Sequence, residues 1–393
     1  MEAFFRTHKY LVKHVNCQVR RVLMDEINWD DRLIGIKGCR GVGKTTFLLQ
    51  YAKERFGEDS QECLYINLNN FYFTQCTLFD FAKQFYAQGG RTLIVDQTFK
   101  YENWSKELRA CYDYLPDMHI VFSGSTVMRL IEDNDDLRNI VKSYNLRGFS
   151  FREYLNLQAG TEFPVYSLED IKRNHVAIAE EINHKVRPLW YFSDYLHHGF
   201  YPFFLENRNY SENLLKTMNM MLEVDILLIK QIELKYLSKI RKMLHIFMNT
   251  TPCSLNVSNL SDEIETSRAT IMNYIKYLKD ARLLNLLYTC GNHFPKKPNR
   301  VYLQNTNLMY AISTRTAEMQ NVYETFFYNA LHAKHSVNAS DKNIDFIIDK
   351  KAAFNIYADS SNVLKSGADY NAVNDIEIGT GNNIPLWLFG FLY

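Results

Sequence analysis

The stretch Leu33-Ile34-Gly35-Ile36 leads through Lys37 into Gly38-Cys39-Arg40-Gly41-Val42-Gly43-Lys44-Thr45-Thr46, and no other segment narrows the possible folds as far. An apolar strand, the spelling G-x-x-x-x-G-K-T and a following helix rich in Leu and Phe form a phosphate-binding loop in the setting that motif requires. Gly38, Gly41 and Gly43 let the backbone turn tightly enough for successive N–H groups to point into one concavity. The helix opening near Lys44 adds the positive end of its dipole, so an anion is favoured there before any side chain acts. In this reading Lys44 bridges the outer phosphates and the Thr45 hydroxyl takes one position on a magnesium ion. The nine residues from Gly38 to Thr46 are the candidate nucleotide contacts. Cys39 is a small residue tolerated inside the loop, where its oxidation would block nucleotide.

A strand, loop and helix of this kind belong to an α/β protein, and the following sequence repeats the alternation. The first 28 residues read as helix, with Leu11, Val15, Val19, Val22 and Leu23 at helical spacing and with Arg20 and Arg21 either on its solvated surface or reaching the nucleotide base or phosphates. A helix Thr45–Phe56 ends at Gly57. A strand Cys63–Leu68, a helix Leu78–Gln88, and the apolar run Arg91 to Asp96 come next, which points to a parallel sheet. Asp96, ending that run, is the expected second magnesium residue, opposite Thr45 and acting through water. Gln97 follows it. An amide orients water but cannot accept its proton, so the metal site is kept while the usual base is missing. A helix Asn103–Leu115 leads to the strand His119–Ser123, placed between the first and third strands in the additional-strand order. Ser123 and Ser125 then either sense the terminal phosphate or cap the next segment.

Composition excludes some partners. Lys and Arg number 45 against 44 Asp and Glu, a net charge of +1, so any nucleic-acid surface must be local. The seven cysteines (Cys17, Cys39, Cys63, Cys76, Cys111, Cys253, Cys290) form no C-x-x-C pair, as expected of reduced thiols rather than disulfides or zinc ligands. No signal peptide and no run of membrane-spanning length is seen, so a cytoplasmic protein without membrane contact is expected.

The runs DRLIGIKGCRGVGKTT, LIVDQTFKYENWSKELRACYDYLPDMHIVFSGST and YNLRGFSFREYL, in this order, resemble a family of bacterial and archaeal AAA-like ATPases. Members of that family carry a winged-helix domain and a restriction-endonuclease-like C-terminal region, and are related to the origin-recognition and STAND ATPases. The resemblance implies ATP and Mg2+ as cofactors, with Lys44, Asp96, Gln97 and Ser123 as the catalytic set and Thr45 and Asp96 as the metal residues. Two departures stand out. The family pairs Asp with Glu where this chain has Asp96-Gln97. It also carries an Arg-rich turn where this chain has Asn139 and Ile140 after Leu137, with Arg138 one residue off and Arg147 further on. No arginine finger is thereby assigned.

Beyond this P-loop ATPase domain (1–150), residues 151–234 read as a helical lid. The stretch YLHHGFYPFFLE has a break at Gly199 and Pro202, and its adjacent His197 and His198 point about 100° apart on a helix surface. Residues 235–311 read as a winged helix-turn-helix. Helices cover Leu237–Met248, Val257–Ile264 and Arg268–Ala281, the third capped by Thr266, and strands cover Leu284–Thr289 and Arg300–Leu303. Arg268, Lys276, Lys279, Lys296, Lys297 and Arg300 are candidates for phosphate contact with double-stranded DNA; a protein partner or a second copy is the other expectation. Residues 312–393 read as a small α+β, restriction-endonuclease-like tail with a helix near Glu324–His332 and strands at 343–348 and Ala353–Tyr357. Such nucleases need a carboxylate and then Glu-x-Lys; Asp345 and Glu324 are present, but Asn355 and Tyr357 stand in the second motif, so no cleavage is expected. The apolar IPLWLFGFLY is read as a terminal strand. A nucleotide-dependent switch with slow or regulated hydrolysis is the expected function, and a non-hydrolysing DNA-binding or scaffold module with structural nucleotide is the alternative. No Asn-Lys-x-Asp element points to guanine.

Overall fold

The computed structural model describes residues 1–16, 18–126, 134–206, 209–312, 317–340, 343–363 and 367–393, so Cys17 lies outside the described residues. Its internal contacts divide the chain into two compact units, Met1–Arg147 and Gly148–Tyr393.

In the first unit the elements run α1 (Glu2–His14), α2 (Leu23–Glu26), β1 (Leu33–Gly38), α3 (Lys44–Phe56), β2 (Cys63–Asn67), α4 (Leu78–Ala87), β3 (Thr92–Asp96), α5 (Trp104–Tyr114), β4 (His119–Ser125) and β5 (Lys142–Asn145). The five strands form one parallel sheet in the order β2-β3-β4-β1-β5. β3 is buried throughout and β1 nearly so, which is why these strands read as continuous apolar runs rather than alternating ones. With β4 inserted between β1 and β3, the carboxyl ends of three strands lie side by side. Ser123 stands opposite Ile36 and one step beyond the Val95–Phe122 pair.

Two local features differ from the sequence expectation. The N-terminal helix stops at His14, with Val15 in extended backbone, instead of continuing to residue 28. Branched Val15, Val19 and Val22 weaken helix here. Arg21 is drawn inward, donating to Val42 O at 3.3 Å and to Arg147 O at 2.7 Å. β5 was not expected. Its sequence, Lys-Ser-Tyr-Asn, lacks apolar alternation because it is a half-exposed edge strand held by pairing with β1.

The second unit begins with α6 (Phe151–Ala159), α7 (Leu168–Lys185), α8 (Pro188–His198), α9 (Tyr210–Met220), a π-helical segment Met221–Ile226 and α10 (Leu227–Lys230). Ser150 with Glu153 and Ser167 with Asp170 form reciprocal capping boxes that start α6 and α7, each contributing about 1 kcal/mol. Then come α11 (Leu237–Thr250), α12 (Val257–Ile264), α13 (Arg268–Asp280) and the antiparallel hairpin of β6 (Leu284–Thr289) and β7 (Arg300–Leu303). α14 (Thr306–Ile312), α15 (Met319–Leu331), β8 (Val337–Ala339), β9 (Phe346–Ile348), β10 (Ala352–Tyr357), β11 (Tyr370–Val373) and β12 (Asn383–Pro385) complete it.

Among the described residues, one seven-stranded sheet, β12-β11-β10-β9-β8-β6-β7, gathers the strands of this unit. β6 pairs with β8 in parallel, Tyr288 opposite Asn338, so the sheet runs across position 311. Two further readings are corrected. Ser267, not Thr266, caps α13, its hydroxyl accepting from Thr270 N. Thr266 instead gives its carbonyl to the Ser261 hydroxyl, which holds it in the turn. The terminal apolar run is a strand only at Ile384 and Pro385, which belong to β12. After β12 it coils as a 3-10 segment, Leu386–Phe391, buried at every residue. A strand directs alternate side chains to opposite faces, whereas this coiled segment is surrounded by α6, α7 and α15. At Gly390 the backbone passes so near Phe151 that a Cβ would stand 2.4 Å from that side chain.

Candidate functional site

The loop from Cys39 to Gly43 joins β1 to α3. Gly41 (φ 86°) and Gly43 (φ 92°) take left-handed backbone that costs other residues about 1 kcal/mol or more. Gly38 is required for another reason. A Cβ there would lie 2.7 Å from Leu146 O, against which the loop is seated. Val42 is fully buried and its carbonyl is held by the Arg21 guanidinium. Arg40 lies over the Phe99 ring at 5.7 Å. The loop is therefore fixed from behind.

Lys44, the first residue of α3, folds its ammonium back onto the loop, donating to Gly38 O at 2.8 Å and Cys39 O at 3.0 Å. Thr45 donates its hydroxyl to Asp96 Oδ2 at 2.6 Å. Thr46 follows in the first turn of α3. Asp96, 1% exposed at the end of β3, accepts three more hydrogen bonds. The Tyr65 hydroxyl donates to Oδ2 at 2.8 Å, Gln97 N donates to Oδ1 at 2.9 Å, and the Ser123 hydroxyl donates to Oδ1. Gln97 has left-handed backbone (φ 57°), and its N–H also reaches Ser123 Oγ at 3.0 Å. Thr98 closes the turn with a 2.7 Å bond to Ser123 O. The hydroxyl of Ser123 thus serves Asp96, while Ser125 lies opposite Gly38 at the end of β4.

The sequence reading brought Gly38 to Thr46, Asp96, Gln97 and Ser123 forward, and the fold gathers them at one sheet end. It missed Tyr65, which is 4% exposed and whose hydroxyl burial and the Asp96 charge hold above its ordinary range of ionisation. The available signal was a phenol inside the otherwise apolar Cys-Leu-Tyr-Ile. It also missed His8, whose Nδ1 accepts from Tyr65 N at 2.9 Å on the outer side of β2. Burial lowers the His8 pKa to about 4.

The donors present suit a nucleotide with a hard cation. Thr45 and Asp96 offer oxygens, as magnesium prefers. Among the described residues no group of three or more His, Cys, Asp or Glu forms a ready cage, so the ion would be held largely by phosphate oxygens. A parallel sheet in this strand order, with a glycine loop after β1 and a carboxylate after β3, defines a P-loop nucleotide-binding domain of the α/β class. Residues 30–155 match the family model described as "AAA domain", which makes the first unit an AAA-like P-loop ATPase domain.

Residues 189–318 match a second family model, described as a domain of unknown function. Among solved structures the chain is similar to the Aeropyrum pernix ORC1 protein in complex with DNA, at 10% identity over 79% of this chain and 91% of that one, TM-score 0.30. It is also similar to C. elegans PCH-2, at 13% identity over 71% and 66% of the two chains, TM-score 0.21. No curated protein gives a significant match. No helix among the described residues is long and apolar enough to cross a membrane.

Asn139 has left-handed backbone (φ 71°), and Arg138 pairs with Asp135 at 2.8 Å on the surface. Arg147 ends the first unit, its carbonyl taken by Arg21. In the second unit His197 stacks on Tyr310, ring centroids 3.6 Å apart, and His198 lies edge-on to Tyr154 and Tyr210. Arg268, Lys279, Lys296 and Lys297 are exposed, and half-buried Lys276 sits over the Phe294 ring at 5.1 Å. Arg300 pairs instead with buried Glu324 at 3.0 Å, and Tyr302 donates to the same carboxylate at 3.2 Å. Asp345 immediately precedes β9, and its Oδ2 accepts from Ile356 N at 2.9 Å. Burial raises the pKa of both carboxyls, Glu324 further through the nearby Asp345 charge. Asn355 accepts from Asp345 N at 3.0 Å, and Tyr357 lies 3.4 Å from the Asn355 amide.

Proposed function

We propose that the first unit binds ATP with Mg2+ and acts as a switch that hydrolyses it slowly. The 2.6 Å bond between Thr45 and Asp96, at the mouth of the loop that carries Lys44, is the observation that supports this most directly. Lys44 exchanges the Gly38 and Cys39 carbonyls for phosphate oxygens, which are charged and hence stronger partners. Thr45 and Asp96 hold the cation, whose chemistry when bound is to neutralise charge on the transferred phosphoryl group. Asp96 cannot also serve as base, because its oxygens are committed, and Gln97 can orient water without taking its proton. The absent base corresponds to about 10² to 10⁴ in rate, and an arginine finger supplied by a second copy or a protein partner would add roughly 10³ to 10⁵.

The test is titration with ATP and ADP, with and without Mg2+, followed by turnover. Lys44→Ala should abolish tight binding while leaving the unfolding transition in place, and Gln97→Glu should accelerate turnover with affinity within a few-fold. Unchanged affinity in Lys44→Ala would remove the assignment.

A second reading concerns the helices α11 to α13 and their hairpin as a winged helix that touches duplex DNA. The contact of Lys276 with Phe294 supports it, because it brings α13 and the hairpin loop to one surface beside Lys296 and Lys297. Binding that weakens steeply with salt and disappears when Lys276, Lys279, Lys296 and Lys297 become Glu would support DNA; its absence at low salt would favour a protein contact. The tail is read as a restriction-endonuclease-like fold without cleavage chemistry. Asp345 is engaged with backbone, and Asn355 and Tyr357 replace the Glu and Lys that would hold metal and activate water.

A further inference from the structure

A carboxylate offers about four lone-pair sites, and all four donors around Asp96 come from the protein: Thr45 and Tyr65 on Oδ2, Gln97 N and Ser123 on Oδ1. A cation held by Asp96 through water needs one of these sites, since the metal-bound water must donate to the carboxylate. The two donors on Oδ1 belong to the β3–β4 end, one of them backbone. On Oδ2, Thr45 can keep its proton on Asp96 while its oxygen lone pair turns to the metal. The site left for the water is the one that Tyr65 fills.

Tyr65 is poorly placed to leave. It is 4% exposed, and its backbone N–H is tied to His8 at 2.9 Å. Turning the phenol away from Asp96 leaves a buried donor unsatisfied, which is unfavourable.

We propose that Tyr65 is a positioning residue that sets the magnesium requirement of the nucleotide site, its hydroxyl competing with metal-bound water for Oδ2 of Asp96. This rests on the reading of the first unit as an ATP-Mg2+ site. Tyr65 does not touch nucleotide; it acts through Asp96, making the site demand a higher Mg2+ concentration before nucleotide is held tightly. The substituent that matters is one oxygen, so Tyr65→Phe tests it with the ring and its packing retained.

The experiment titrates Mg2+ against a fixed concentration of fluorescently labelled ADP, with the full chain and no turnover. Tyr65→Phe should reach half-maximal binding at a Mg2+ concentration lower by about threefold to tenfold, the scale of one typical net hydrogen bond. Its affinity measured with EDTA should match the unmodified protein. In an Asp96→Asn background the same substitution should shift the Mg2+ midpoint much less, an outcome that loss of strand packing would not produce. An unchanged or higher midpoint in Tyr65→Phe, with a normal response in the unmodified protein, would overturn the role of Tyr65 alone. Labelled ADP that binds the unmodified protein without regard to Mg2+, or not at all, would overturn the ATP-Mg2+ reading and this inference with it.

Discussion

His8 shows how far a single buried side chain reaches into this site. Its Nδ1 must be unprotonated to accept from Tyr65 N, and Tyr65 in turn touches Asp96. Burial lowers its folded pKa to about 4, from the ordinary imidazole value of about 6.5. The unfolded chain therefore binds more protons between these two values, so stability falls as pH drops from about 6.5 toward 4. Over pH 7 to 5 the loss is roughly 2 kcal/mol. Urea unfolding of the first unit at these two pH values should show that difference, and His8→Gln should remove about that share of it. Equal pH dependence in protein and variant would mean that His8 is protonated without penalty. None of this was visible in the sequence, because His8 looks like one more polar residue of an amphipathic helix, and what makes it special is the strand edge it covers. Gln97 is the opposite case. Its departure from the Glu that the family resemblance implies is legible in the one residue after Asp96, and the structure adds the left-handed backbone and the bonds from its backbone N–H to Asp96 and Ser123.

At the scale of elements, strong periodicity carried the boundaries well. The helix 257–264 and the strands 284–289 and 300–303 lie where apolar spacing put them. Errors fell where a neighbour outvotes local propensity: Arg21 drawn under the loop, the polar β5 recruited by pairing, and the terminal run coiled between helices. The start of α13 is a finer instance, since Thr266 and Ser267 are both good caps on paper. The hydroxyl of Ser267 meets Thr270 N at 3.1 Å. Ser267→Ala should therefore lower the stability of the second unit by about 1 kcal/mol in chemical denaturation. Thr266→Ala should cost clearly less. The reverse order would place the cap one residue earlier.

On the scale of the molecule, the second unit is organised by a sheet that no local pattern announces. β6 of the hairpin pairs with β8, and β7 through β12 share the resulting seven strands. A fragment ending at residue 311 would expose the edge of β6 and remove the partner strands, whereas 148–393 keeps the sheet whole. We expect 148–393 to be folded and monodisperse and 148–311 to aggregate or lack a cooperative transition, read by circular dichroism and light scattering. A well-folded 148–311 would show that the hairpin needs no continuation. The amino-acid sequence by itself determined the glycine loop between strand and helix, the aspartate that ends β3, the glutamine after it and the alternation that makes a parallel sheet. These depend on glycine at given positions, on charge type and on apolar period, all of them properties of neighbouring residues. Only the tertiary structure decided that Tyr65 shares Asp96 with Thr45, that His8 guards the edge of β2, and that hairpin and tail form one sheet. Those depend on which strands meet, and strand pairing joins residues far apart in the chain whose side chains carry no mark of the partner they will face.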